Sequence, residues 1–172
     1  KFFHTLALST FVAFAGSAAA QTQETGFLDR TVSMNGAAHR YQVYLPRNYT
    51  EADDWPVILF LHGGGERGDD GLKPTQVGLG RAIRMSLALA ALEATLEEFA
   101  TDADRVYLTG LSLGGNGTWY LGSKYADRFA ALVAVCGFIQ LGDRVASFTT
   151  DSVNPYEAVA KNLSGKPVWI VH

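Results

Sequence analysis

Arg105-Val106-Tyr107-Leu108-Thr109-Gly110-Leu111-Ser112-Leu113-Gly114-Gly115 decides how the chain is read. Residues 105–109 carry the short β-branched and aromatic pattern of a strand, and residues 114–125 can be helical. Between them stands Gly-x-Ser-x-Gly at Gly110 to Gly114. A strand that turns this sharply into a helix leaves no room for flanking side chains, hence a glycine on each side. Such a bend lifts the Ser112 hydroxyl clear of the sheet at a helix N-terminus, where free N–H groups favour developing negative charge. The plain alternative is a glycine-rich turn with a capping serine.

A second motif tips the balance. Val57-Ile58-Leu59-Phe60-Leu61 is continuous and apolar, which predicts a strand buried on both faces, and His62-Gly63-Gly64-Gly65 follows it. Acyl transfer creates an oxyanion, which backbone N–H groups must meet in a dry site. One donor is expected from Leu113, the residue after the nucleophile, and the other from Gly64, with Gly63 and Gly65 as neighbouring candidates. His62 is assigned to supporting that loop.

The remaining chain alternates β and α patterns. Residues 27–34 and 38–45 flank Asn35-Gly36, a type I′ hairpin signal. Residues 85–100 have helical spacing of leucines, and residues 130–135 read as a third strand. Pro155 opens a helix running to about residue 163, and residues 167–171 read as a fourth strand. Alternation of this kind predicts a mainly parallel sheet with helices on both faces, preceded by an antiparallel N-terminal hairpin.

Leu61 to Gly68 and Gly110 to Gly115, in that order, resemble secreted α/β-hydrolases, and within them the feruloyl esterase-like and dienelactone hydrolase-like carboxylesterases. The likeness runs from about residue 41 to residue 172. It implies a partial α/β-hydrolase fold, a Ser–His–acid triad, an acyl-enzyme on Ser112, and neither metal nor cofactor. The implied substrate is a small-molecule or polysaccharide-linked carboxylic ester. The alternatives are a peptidase of the prolyl oligopeptidase type and a hydrolase-like binding module without catalysis.

The chain departs from that pattern in two places. In this fold the order is Ser, acid, His. After Ser112 the one histidine is His172, which reads as a strand-end residue, while His39 falls in the hairpin and His4 in the leader. Asp127, Asp143 and Asp151 all precede the last strand pattern, so the base and acid are expected beyond residue 172. Residues 62–105 hold one helix and no apolar β-like run, where relatives carry a further strand, so an internal deletion near 84/85 is expected.

Composition excludes other classes. The 172 residues are 48% hydrophobic and 18% charged, enough for one packed domain. Lys plus Arg is 14 against 17 Asp plus Glu, for a net charge of −3, so the cationic footprint of a nucleic-acid binder is missing. The single cysteine, Cys136, excludes an internal disulfide and reads as a small buried hydrophobe. Lys1, a largely apolar run to about Gly16 and Ser17-Ala18-Ala19-Ala20 have the three parts of an export signal. Cleavage is expected after Ala20, leaving 21–172 as an incomplete domain, secreted or periplasmic and off the membrane. Gly63 to Gly68 also matches Gly-x-Gly-x-x-Gly, but Asp69 and Asp70 follow where a dinucleotide site needs a helix N-terminus. That acidic pair is read as a solvated loop and not a metal site. Asn48, Asn116 and Asn162 begin glycosylation triplets that matter only in a eukaryotic source.

Overall fold

The computed structural model describes residues 24–65, 83–141, 144–145 and 154–172. The leader, the loop carrying Asp69 and Asp70, and Asp143 and Asp151 lie outside these residues. Strands β1 (Gly26–Met34) and β2 (Ala37–Leu45) form the expected antiparallel hairpin. Asn35 and Gly36 take φ of 53° and 78° at its tip, the double positive φ of a type I′ turn.

Four parallel strands make the main sheet, in the order β3 (Trp55–Leu61), β4 (Thr101–Leu111), β5 (Ala131–Val135) and β8 (Val168–Val171). Helices α1 (Ile83–Glu98), α2 (Leu113–Lys124) and α3 (Pro155–Asn162) connect them. A two-residue ladder of β6 (Gln140–Leu141) and β7 (Arg144–Val145) is too short to leave a pattern in the sequence. Asn154 caps α3 by accepting from the N–H of Tyr156 at 3.0 Å, and Pro155 occupies the first turn.

Strand register explains where the core lies. Val57 and Leu59 sit beside Val106 and Leu108, and Leu108 beside Leu132, so these side chains share one face. All three helices add to the core on that face through Leu92, Leu121 and Val159. The opposite face carries Ile58, Phe60 and Trp169, exposed at 68%, 53% and 72%. No helix among the described residues is seen to cover them.

One expectation therefore changes. Residues 57–61 were to be buried on both faces, but among the described residues no helix packs on the face that carries Ile58 and Phe60, and β3, paired there with β4 alone, is also an edge. Among the described residues the fourth strand, β8, is likewise an edge, with all four residues exposed. Hydrophobic patterning reports the burial a strand is built for, and here that surface has no partner among the described residues.

The hairpin is a separate sheet with its own small core of Leu28, Val43, Leu45, Tyr49 and Phe99. Arg30 ties it to α1: its guanidinium donates to both Glu98 carboxylate oxygens, at 2.7 and 2.9 Å from Nε, and lies 5.5 Å from the Phe99 ring centre. The Glu98 carboxylate holds the Arg30 guanidinium above its ordinary pKa.

Candidate active site

Ser112 stands where β4 passes into α2, with φ 54° and ψ −110°. A positive φ is uncommon for a side-chain-bearing residue and costs about 1–3 kcal/mol, so the surroundings must impose it. They do so at several points. The Ser112 N–H donates to Val135 O at 2.8 Å, and its carbonyl accepts the Asn116 N–H at 3.0 Å as the helix begins. Its side chain makes no capping bond, which removes the capping-serine alternative, and the residue is exposed.

The glycines are demanded by backbone packed against them. A Cβ on Gly110 would lie 2.3 Å from Gly114 O, and one on Gly114 would lie 1.9 Å from Leu61 O. A Cβ on Gly115 would come 2.6 Å from Gly137 Cα. The elbow is thus wedged between the end of β3 and the turn after β5. Asn116 fastens the second contact by donating from Nδ2 to Phe138 O at 2.6 Å. It is buried, so the glycosylation reading of Asn116 does not hold.

The triple glycine reaches the same place. A Cβ on Gly64 would meet the Leu113 side chain at 3.7 Å, so the loop after β3 and the first residue of α2 are neighbours. Leu113 opens the helix, and its N–H has no partner one turn back. Gly63 is buried and Gly65 exposed on either side of Gly64. His62 is buried, with Nδ1 3.2 Å from Gly63 O, a position within the loop's own frame.

Ser112, Gly64 and Leu113 are therefore together. Other candidates are not. Asp127 lies in the single turn Ala126–Arg128 ahead of β5, at the amino edge of the sheet and opposite Ser112. His39 belongs to the hairpin. His172 follows β8 on the carboxyl edge, two strands from β4, which sets its backbone roughly 10 Å from the elbow.

Cys136 departs from the burial expected of it. It is exposed, not buried, with φ 47°, and its N–H donates to Val171 O at 2.7 Å. It stands just past the last residue of β5, where strand alternation no longer turns a side chain inward. Among the described residues no group of three or more His, Cys, Asp or Glu could hold a metal ion.

A parallel sheet bearing a strained serine at a strand-to-helix elbow defines the α/β-hydrolase class. Within it, the chain belongs to the prolyl oligopeptidase family, whose model matches residues 57–165. That span includes both glycine motifs. Solved structures of similar fold include a thermostable esterase, 22% identical with a TM-score of 0.63, over 84% of this chain and 53% of that one. A mutant feruloyl esterase module from Clostridium thermocellum, complexed with sinapinate, is 16% identical with a TM-score of 0.64, over 84% and 65%. A ferulic acid esterase from Anaeromyces mucronatus is 13% identical with a TM-score of 0.59, over 89% and 85%. The chain spans between 53% and 65% of the length of the first three such structures. A search of curated proteins finds no match.

Proposed function

We propose that this chain is the nucleophile-bearing part of a serine hydrolase that cleaves carboxylic esters. Ser112 Oγ attacks the ester carbonyl, and the negative charge that develops on its oxygen accepts hydrogen bonds from the N–H groups of Leu113 and Gly64. The alcohol leaves, an acyl group stays on Ser112, and water releases it. A histidine and a carboxylate carried by sequence beyond His172 relay the proton. The observation that carries this reading is the exposed, positive-φ conformation of Ser112 beside Gly64.

Family membership favours a second reading, hydrolysis of a peptide bond. Esters and amides pass through the same tetrahedral geometry, so the elbow alone supports both. The gene product extended past His172 separates them. A fluorophosphonate probe is expected to label it at Ser112 and not in Ser112→Ala, and hydrolysis of a hydroxycinnamate ester is expected without cleavage of proline-containing peptides. The opposite preference would establish the peptidase, and no labelling would leave a binding module.

Residues 1–20 are proposed to direct export, which predicts a mature protein beginning at Gln21. No helix among the described residues is long and apolar enough to cross a membrane.

A further inference from the structure

We infer that Asn116 is a positioning residue for the nucleophile: its side-chain amide locks the turn after β5 onto the elbow and so keeps Ser112 in its positive-φ conformation. The inference rests on the reading of Ser112 as the nucleophile. Two short segments, residues 112–116 and residues 135–138, run side by side and touch at both ends and in the middle. At one end the Ser112 N–H donates to Val135 O at 2.8 Å. In the middle Gly115 and Gly137 meet backbone to backbone, since a Cβ on Gly137 would lie 2.8 Å from Gly115 C. At the other end Asn116 Nδ2 donates to Phe138 O at 2.6 Å. The Asn116 N–H closes the ring by donating to Ser112 O at 3.0 Å.

The amide is the member of this ring that depends on the side chain. The bonds from the N–H groups of Ser112 and Asn116 are backbone bonds, which other residues would also supply. A helical position does not itself call for asparagine, and Asn116 is only 8% exposed. Burying an amide is costly unless it is hydrogen-bonded, and here the bond reaches a carbonyl in a different turn. That turn begins at Cys136, whose φ of 47° is also positive. Two backbone conformations that side-chain-bearing residues rarely adopt thus face each other, and the Asn116 amide spans them. Without it, Phe138 O loses its donor and residues 136–138 draw away from Gly115, taking Val135 O from the Ser112 N–H. Ser112 then relaxes toward negative φ, and its Oγ swings out of line with the N–H groups of Leu113 and Gly64. A displacement of about 1 Å at a reacting atom can cost on the order of 100-fold in rate.

The test uses the gene product extended past His172, with Asn116→Ala and with Asn116→Leu, which removes the donor and keeps the space filled. Whichever variant folds supplies the measurement. Ser112→Gly relieves a positive φ and is expected to raise the denaturant midpoint of the parent. If the Asn116 amide holds that strain, the rise shrinks by about half or more once the amide is gone, whereas a residue that only supports the helix leaves it unchanged. Fluorophosphonate labelling of Ser112, followed well below each unfolding midpoint, gives a second readout. Its maximal rate is expected to drop about tenfold in the Asn116 variants, with the probe concentration for half-maximal rate unchanged. Additive effects of the two substitutions on the midpoint would overturn the inference, and so would labelling as fast as in the parent. A parent that takes no label would remove the esterase reading, and the midpoints alone would then decide the role of Asn116.

Discussion

At Ser112 the backbone is held against its own preference, and the cost can be measured by relieving it. Glycine adopts φ 54° without the penalty a Cβ brings, although it loses more freedom on folding. Ser112→Gly is therefore expected to raise stability by about 1 kcal/mol in denaturant unfolding while removing the nucleophile. A loss of stability on this substitution would mean that the elbow is not strained. Gly114 has the reverse logic. A methyl group there would sit 1.9 Å from Leu61 O, a backbone atom in a strand that cannot step aside. Gly114→Ala is expected to cost about 3 kcal/mol or more, read as a lowered unfolding midpoint. Gly64→Ala, which meets only the Leu113 side chain at 3.7 Å, should fold nearly as well as the parent.

At the scale of elements, the joints are short polar contacts whose strength depends on their surroundings. Asn154 accepts from the first N–H groups of α3, and Asn154→Ala is expected to lower stability by about 1 kcal/mol. Asp102 shows the effect of pH. Arg105 Nε donates to its carboxylate at 2.6 Å and the Asp104 N–H donates at 2.9 Å, which holds the carboxyl below its ordinary pKa. A carboxylate whose folded pKa is depressed stabilises the fold above its unfolded pKa, and that contribution fades as pH falls through the folded value. Melting temperatures of the parent and Asp102→Asn should therefore differ at neutral pH and converge as pH falls through the depressed folded value. The pair is exposed, so the difference is small.

These elements were largely legible because their signals are local. Asn35-Gly36 prescribes positive φ at two adjacent positions, the glycines around Ser112 prescribe a tight elbow, and Pro155 prescribes a helix start. What escaped the sequence depends on distant partners. The exposure of Cys136 follows from its place one residue beyond β5, and the burial of Asn116 follows from a carbonyl in another turn. Neither leaves a mark in neighbouring residues. The partnership of Gly64 with Leu113 was readable only because two glycine motifs serve one purpose, each placed at the end of its own strand.

For the molecule as a whole, the sheet presents more apolar surface than the described helices cover. Ile58, Phe60 and Trp169 are each more than half exposed on one face, and β3 and β8 offer open edges among the described residues. Isolated exposed apolar residues are ordinary, but a row running across a sheet beside unpaired backbone is a site for association. The 172-residue chain is accordingly expected to bind an apolar dye and to self-associate with rising concentration in sedimentation experiments. Trp169 should contribute most, being the largest of these side chains and the most exposed at 72%. Trp169→Lys puts a charge on the open β8 edge and buries nothing new, so it should keep the melting temperature and reduce the associated fraction. If Trp169→Lys instead unfolded the domain, Trp169 would be part of the core, and the bare face of the sheet would have to be covered in solution.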